Sequence, residues 1–173
     1  TNEAGEVLYM AADVKSQNVL QDIISTATAK EVAITLPAGK FTPQIYKSGT
    51  LGMSSLTISG NGNTKLSFVD KQVMTSLVDE LVIDGCEIDT MLTKGWGMLV
   101  FGGSGKSNGV YTVRNCTFNG VNTQGIYINE IASGSGATYN IENCTFDGDF
   151  GTEGAITIQT NPNAIYTVNI RNC

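Results

Sequence analysis

Four cysteines stand at positions 86, 116, 144 and 173, at intervals of 30, 28 and 29 residues. Each closes a similar phrase: Leu81-Val-Ile-Asp-Gly-Cys86, Tyr111-Thr-Val-Arg-Asn-Cys116, Tyr139-Asn-Ile-Glu-Asn-Cys144 and Val168-Asn-Ile-Arg-Asn-Cys173. Leu56-Thr-Ile-Ser-Gly-Asn61 is an earlier, weaker copy. A unit of this length cannot bury its apolar face alone, so recurrence at a fixed period predicts stacked units, a solenoid.

Within each phrase apolar residues alternate, which is the period of a strand. Leu56/Ile58, Leu81/Ile83, Tyr111/Val113, Tyr139/Ile141 and Val168/Ile170 form one face, and Thr57, Val82, Thr112, Asn140 and Asn169 the other. One position reads Gly60, Gly85, Asn115, Asn143 and Asn172. Glycine and asparagine best tolerate left-handed backbone, so a bend with positive φ is expected at all five. The residue before it reads Ser59, Asp84, Arg114, Glu142 and Arg171. Its charge alternates in sign from Asp84 onward. Parallel strands stacked in register, about 4.8 Å apart, would set each charge against an opposite one.

Another strand is expected between the phrases, at Met98-Leu-Val100, Ile126-Tyr-Ile128 and Ile156-Thr-Ile158. Matching these triplets residue for residue places Leu99, Tyr127 and Thr157 on their outward face. Ile88, Phe118 and Phe146 form a further apolar column. Towards the N-terminus, Ser16 is placed to cap a helix with Val19, Leu20, Ile23, Ile24 and Ala27 on one face. Residues 1–15 are read as an extension, and 16–173 as one parallel β-helix with its cap helix at about 16–29. The fold class is all-β.

Composition narrows the functions open to such a stack. The net charge of −6 argues against nucleic acid and against anionic membranes as partners. No apolar run reaches the roughly 18 residues of a membrane span, and there is no signal-peptide pattern. The chain has no histidine, which removes Ser-His-Asp and Cys-His catalysis and histidine-ligated metals.

Leu20-Gln-Asp-Ile-Ile-Ser-Thr-Ala-Thr-Ala29, the following Val32-Ala-Ile-Thr-Leu-Pro-Ala-Gly-Lys-Phe-Thr42, and the Asn-Cys-Thr-Phe units at 115–118 and 143–146 resemble the right-handed parallel β-helix proteins of the pectin-lyase-like superfamily. The resemblance spans residues 16–173. It implies a short right-handed β-helix, and it leaves function open among polysaccharide lyases and hydrolases, bacterial surface proteins and virion fibres. Enzymes of that superfamily carry acid clusters, or Ca²⁺-binding acids beside a base, on outward columns of one sheet. No such cluster lies on the outward columns read here, and the few coils also separate this chain from those enzymes.

Each candidate site has a plain structural reading beside it. Asp84, Arg114, Glu142 and Arg171 read as a ladder of ion pairs. Cys86, Cys116, Cys144 and Cys173 read as a reduced, buried column, because parallel stacked side chains have poor dihedral geometry for a bond; Cys173 is the expected exception. Asp147, Asp149 and Glu153 offer hard oxygen ligands to Ca²⁺ but fail the EF-hand spacing, so a solvated acidic turn competes with that reading. Gly102-Gly-Ser-Gly-Lys-Ser107 lacks the first glycine of a phosphate loop. Asn115-Cys-Thr117 and Asn143-Cys-Thr145 match a glycosylation pattern that the repeat already explains. Trp96, Tyr127, Asn129 and Gln159 combine aromatic and amide groups of the kind that hold a sugar.

The reading favoured is a non-catalytic structural or adhesive module, of a virion appendage or a bacterial surface and hence extracellular. A polysaccharide-binding or lyase-like module is the alternative. No cofactor is expected beyond Ca²⁺. The last phrase reaches Cys173 without a capping pattern, so another subunit, a partner protein or further chain beyond Cys173 is expected to cover that end.

Overall fold

In a computed structural model, residues 6–45, 53–68, 73–74, 78–89, 97–102, 108–130 and 136–173 are described. The chain is a parallel β-solenoid of about five turns with three sheets and a single short helix among the described residues.

Sheet A holds the cysteine phrases. Its strands, in spatial order, are β1 (Val7–Tyr9), β2 (Glu31–Thr35), β4 (Ser55–Ser59), β7 (Glu80–Asp84), β10 (Val110–Arg114), β13 (Ala137–Glu142) and β16 (Tyr166–Arg171). The expected register is met at every step, with Ile34, Ile58, Ile83, Val113, Ile141 and Ile170 in one file. The charge file runs Thr35, Ser59, Asp84, Arg114, Glu142 and Arg171. The extension read over residues 1–15 contributes β1, which pairs with β2 through Val7, Leu8 and Tyr9.

Sheet B holds β3 (Gly39–Phe41), β5 (Thr64–Ser67), β8 (Glu87–Asp89), β11 (Thr117–Val121) and β14 (Thr145–Asp149). The expected Ile88, Phe118 and Phe146 column extends back through Leu66 to Phe41. Phe118 and Phe146 stack with centroids 4.8 Å apart. The strands β8, β11 and β14 start directly after the cysteines at 86, 116 and 144.

Sheet C holds β6 (Val73–Met74), β9 (Leu99–Gly102), β12 (Ile126–Glu130) and β15 (Ile156–Thr160). Here the sequence alignment was one residue out. Leu99 pairs with Ile126, and Val100 with Tyr127. Leu99 therefore lies in the apolar interior, and Val100 takes the outward position beside Tyr127. A shift of one residue exchanges the faces of a strand. The segment Met98-Leu-Val-Phe101 is apolar throughout, so it carries no alternation from which the true phase can be read.

The bends also split into two kinds. Gly85, Asn115, Asn143 and Asn172 have φ of 65°, 54°, 52° and 52°, as expected. Gly60 does not adopt positive φ. A Cβ there would lie 2.6 Å from the Gly85 carbonyl oxygen and 2.8 Å from Cys86 Sγ. Space rather than backbone freedom calls for glycine at Gly60.

Helix α1 (Gln17–Thr26) lies over the first rungs. Ser16 caps it, its hydroxyl accepting from the Val19 N–H at 3.3 Å. Leu20 and Ile24 are buried, with Ile23 and Ala27 partly so. Gln17 accepts from the Thr42 N–H at 2.7 Å and donates to the Thr42 carbonyl at 2.9 Å. Gln21 treats Gln44 the same way, at 2.9 and 3.3 Å. Two side-chain amides thus act as a strand would, closing backbone groups that an edge leaves open.

Candidate functional site

The outward polar groups of sheet A form two files of hydrogen bonds. At the bends, Asn172 Nδ2 donates to Asn143 Oδ1 at 3.1 Å, Asn143 Nδ2 to Asn115 Oδ1 at 3.3 Å, and Asn115 Nδ2 to Asp84 Oδ1 at 2.8 Å. On the outer face, Asn169 Nδ2 donates to Asn140 Oδ1 at 2.9 Å and Asn140 Nδ2 to Thr112 Oγ1 at 3.3 Å. Every amide points its NH₂ toward the N-terminal end. Parallel stacking repeats one geometry from rung to rung, so the polarity is the same throughout.

The ion-pair file is made of pairs. Arg114 Nε lies 2.9 Å from Asp84 Oδ2, and Arg171 Nη1 lies 3.7 Å from Glu142 Oε1. Arg114 also stands opposite Glu142 in the ladder. Asp84 thus receives bonds from both Arg114 and Asn115, and Glu142 is flanked by two arginines. Sheet B adds a charge set that the sequence reading did not find. Lys65 Nζ meets Glu87 Oε1 at 2.8 Å, and Asn119 Nδ2 donates to the same oxygen at 2.6 Å. Lys40 Nζ lies 3.4 Å from Asp89 Oδ2. The bond from Glu87 holds the Lys65 amine above its ordinary pKa. The signal for this set was the recurrence of Lys40, Lys65 and Glu87 one residue before each column member, hidden because the sheet B strands were not read as strands.

A groove of about 260 Å³ beside the bends is lined by Gly85, Cys86, Glu87, Asn115, Thr117 and Asn119, together with Gly62. Its amides and carboxylate are already engaged in the bonds just described.

Cys86, Cys116 and Cys144 are free and buried, and Cys173 is free and exposed. Each thiol faces backbone carbonyls, such as Cys116 Sγ with the Arg114 carbonyl oxygen at 3.2 Å. Burial pushes the Cys86 thiol up to about 12 and the Cys144 thiol to about 11, and drives Cys116 upward as well. Thiols held protonated in this way are poor nucleophiles.

Three of the four expected sugar-binding residues come together on sheet C, while Trp96 lies outside the described residues. Tyr127 Oη donates to Gln159 Oε1, and Asn129 stands opposite Gln159 in the ladder. Asn129 is 8% exposed and its Oδ1 has no hydrogen-bond partner. Burial, and then the Glu153 carboxylate, raise the Tyr127 phenol above its ordinary pKa.

The acidic run does not form one turn. Asp147 and Asp149 lie on β14, opposite Asn119 and Val121, and Glu153 lies beyond it. Asp149 Oδ1 accepts from the Gly151 N–H at 2.8 Å. Among the described residues, no group of three or more Cys, Asp or Glu side chains is placed to hold a metal ion. Of the Gly102–Ser107 segment, residues 103–107 lie outside the described residues. Among the described residues no helix is long and apolar enough to cross a membrane. No protein-family model matches the chain, and no curated protein or solved structure is significantly similar to it.

Proposed function

We propose that the chain is a structural or adhesive β-helix module without catalytic activity, of the pectin-lyase-like type, serving outside the cell on a bacterial surface or in a virion appendage. One observation carries this reading. Three acids on the outward columns are tied to neighbouring rungs, Asp84 by Arg114 and Asn115, Glu87 by Lys65 and Asn119, Glu142 by Arg171. Carboxylates fixed in pairs serve the stack and are poorly placed to move protons to a substrate. In the last described rung Ile170 is 50% and Ile158 39% exposed. Self-association or contact with a partner protein at that face belongs to the same proposal. Sedimentation across a concentration series tests the assembly role. A chain that stays monomeric and binds nothing at that face speaks against it.

A second reading, a polysaccharide-binding or polysaccharide-cleaving module, is favoured by the Tyr127, Asn129 and Gln159 group, where a buried amide oxygen lacks a donor. Screening acidic and neutral polysaccharides for binding and for unsaturated products, with and without Ca²⁺, separates the two. Binding that disappears in Tyr127→Ala would establish the second reading. The Ca²⁺ arm also tests Asp147, Asp149 and Glu153 as ligands.

A further inference from the structure

The cysteines of three successive rungs form a straight file inside the stack. Register on both sides fixes it: Asp84, Arg114 and Glu142 pair in order before the cysteines, and Glu87, Thr117 and Thr145 after them. Between these pairs the Thr117 N–H donates to the Cys86 carbonyl at 3.0 Å, and the Thr145 N–H to the Cys116 carbonyl at 2.9 Å. The side chains repeat one orientation as well. Cys116 Sγ lies 3.2 Å from the Arg114 carbonyl oxygen and 3.8 Å from that of Ile83, in the rung before. Cys144 Sγ lies 3.4 Å from the Glu142 carbonyl oxygen and 3.6 Å from that of Val113. Cys86 Sγ lies 3.4 Å from the Asp84 carbonyl oxygen. The same placement in each rung sets successive sulfurs one strand spacing apart, about 4.8 Å.

That spacing selects a coordination geometry. A metal–thiolate bond is about 2.3 Å, so two in line span about 4.6 Å, whereas two at a tetrahedral angle bring the sulfurs to about 3.8 Å and leave two ligand positions to fill. A straight file brings no third ligand from another direction, and among the described residues no three acids or cysteines converge on one point. It does place a second sulfur on the far side of a linear ion, and thiolates select soft ions. We propose that the file binds a soft, two-coordinate dication between successive thiolates, Cys86 with Cys116 or Cys116 with Cys144. The site stands whichever of the two functions above holds.

Charge balance sets the valence. All three thiols are buried, so a complex with net charge is costly there. On uptake two S–H bonds break, two metal–sulfur bonds form, and two protons leave to solvent. A divalent ion such as Hg(II) leaves the complex neutral, and Cu(I) would leave it one charge negative. Zn(II) is rejected on geometry. An entry path exists as well. Cys86 lines the groove beside Glu87, Asn115 and Asn119. The file starts there, since the matching position of the preceding rung is Asn61. A cation thus reaches the first sulfur past a carboxylate, without parting the rungs.

The test uses the full chain with Cys173→Ala, which removes the exposed thiol. The protein is reduced with a phosphine and given one equivalent of Hg(II). X-ray absorption at the mercury edge reads the ligands, native mass spectrometry the stoichiometry, and circular dichroism the fold. The expected result is one ion per chain, two sulfurs at about 2.3 Å, two protons lost and an unchanged β spectrum. Adding Cys86→Ala or Cys144→Ala leaves one adjacent pair and keeps the two-sulfur signal. Adding Cys116→Ala leaves sulfurs two rungs apart, about 9.6 Å, and loses it. Cys86→Ala together with Cys144→Ala loses it too, so the adjacency rule is read even where Cys116→Ala fails to fold. Two-sulfur coordination within a single chain that survives these replacements, a third sulfur on the ion, or Zn(II) held through the cysteines overturns the linear site. So does no uptake by the folded chain, or uptake only with loss of the β spectrum.

Discussion

The two ends of the stack are built from the same columns and meet solvent differently. At the N-terminal end, Leu20 and Ile24 of α1 close the interior, and Gln17 and Gln21 satisfy backbone groups at Thr42 and Gln44. In the last described rung the inward residues of β16 are accessible. Ile83 and Ile170 occupy one file, yet Ile83 is fully buried and Ile170 half exposed. The difference teaches that a position in the repeat fixes which way a side chain points, while the rung above it fixes how much that side chain contributes.

The largest expected effect separates these two isoleucines. Ile83→Ala removes buried methylenes from a filled column and should lower the unfolding free energy by about 2–5 kcal/mol. Ile170→Ala should lower it by less than about half of that, since much of its surface is already wet. Urea titrations of both variants check this, and equal losses would mean that the terminal rung is covered in solution.

Next come the bends. Gly60→Ala drives a methyl group against the Gly85 carbonyl and Cys86, so it should destabilise by about 1–3 kcal/mol. Asn143→Gly keeps the left-handed backbone open and forfeits only its ladder bonds, about 1 kcal/mol. Thermal melts of the two should keep this order. The reverse order would show that amide ladders outweigh close packing.

The cap glutamines follow. Gln17→Ala leaves the Thr42 N–H and carbonyl without their partner, at about 1–3 kcal/mol. Amide exchange at Thr42 should accelerate while exchange at Val168 and Ile170 stays as it was. An unchanged Thr42 rate would dissolve the contrast between a closed and an open end.

The buried thiols give a pH test. Their folded pKa lies above the ordinary 9.0, so the folded state holds protons that the unfolded chain gives up. Stability is fully present below about pH 9 and falls as pH rises toward 11–12, by about 1 kcal/mol per buried thiol at pH 10. Cys86→Ala should flatten that slope in denaturation series run from pH 7 to 10. In native thiol labelling, exposed Cys173 should react first.

The smallest effects belong to the ion pairs. Arg114→Gln should change stability by about 0.2–1 kcal/mol and Arg171→Gln by less, because both arginines are largely solvated. A double-mutant cycle with Asp84 measures the first. A coupling well above that range would mark the file as a main source of cohesion.

Legibility in the sequence followed the contrast between polar and apolar neighbours. The cysteine phrases alternate and carry signed charges, so their faces, register and ion pairs could be read from Asp84 to Arg171 without coordinates. Sheet B could be read only as a column, since strands of three to five residues directly after a bend leave little period to detect. The sheet C triplets brought Tyr127 and Thr157 to one face correctly and put Leu99 on the wrong one. The two glutamines that close the N-terminal edge carry no motif; their role depends on where α1 happens to bring them.

The spacing of four cysteines, the alternation beside them and the Gly/Asn bends determined by themselves that this chain coils into stacked parallel rungs. A repeat constrains every copy at once, and only stacking buries all the copies together. The tertiary structure alone decided the phase of β9, the reason for Gly60 and the sealing of the N-terminal rungs by α1. Each of these depends on distances between rungs, set by side chains meeting across space, and neighbouring residues in the chain do not encode them.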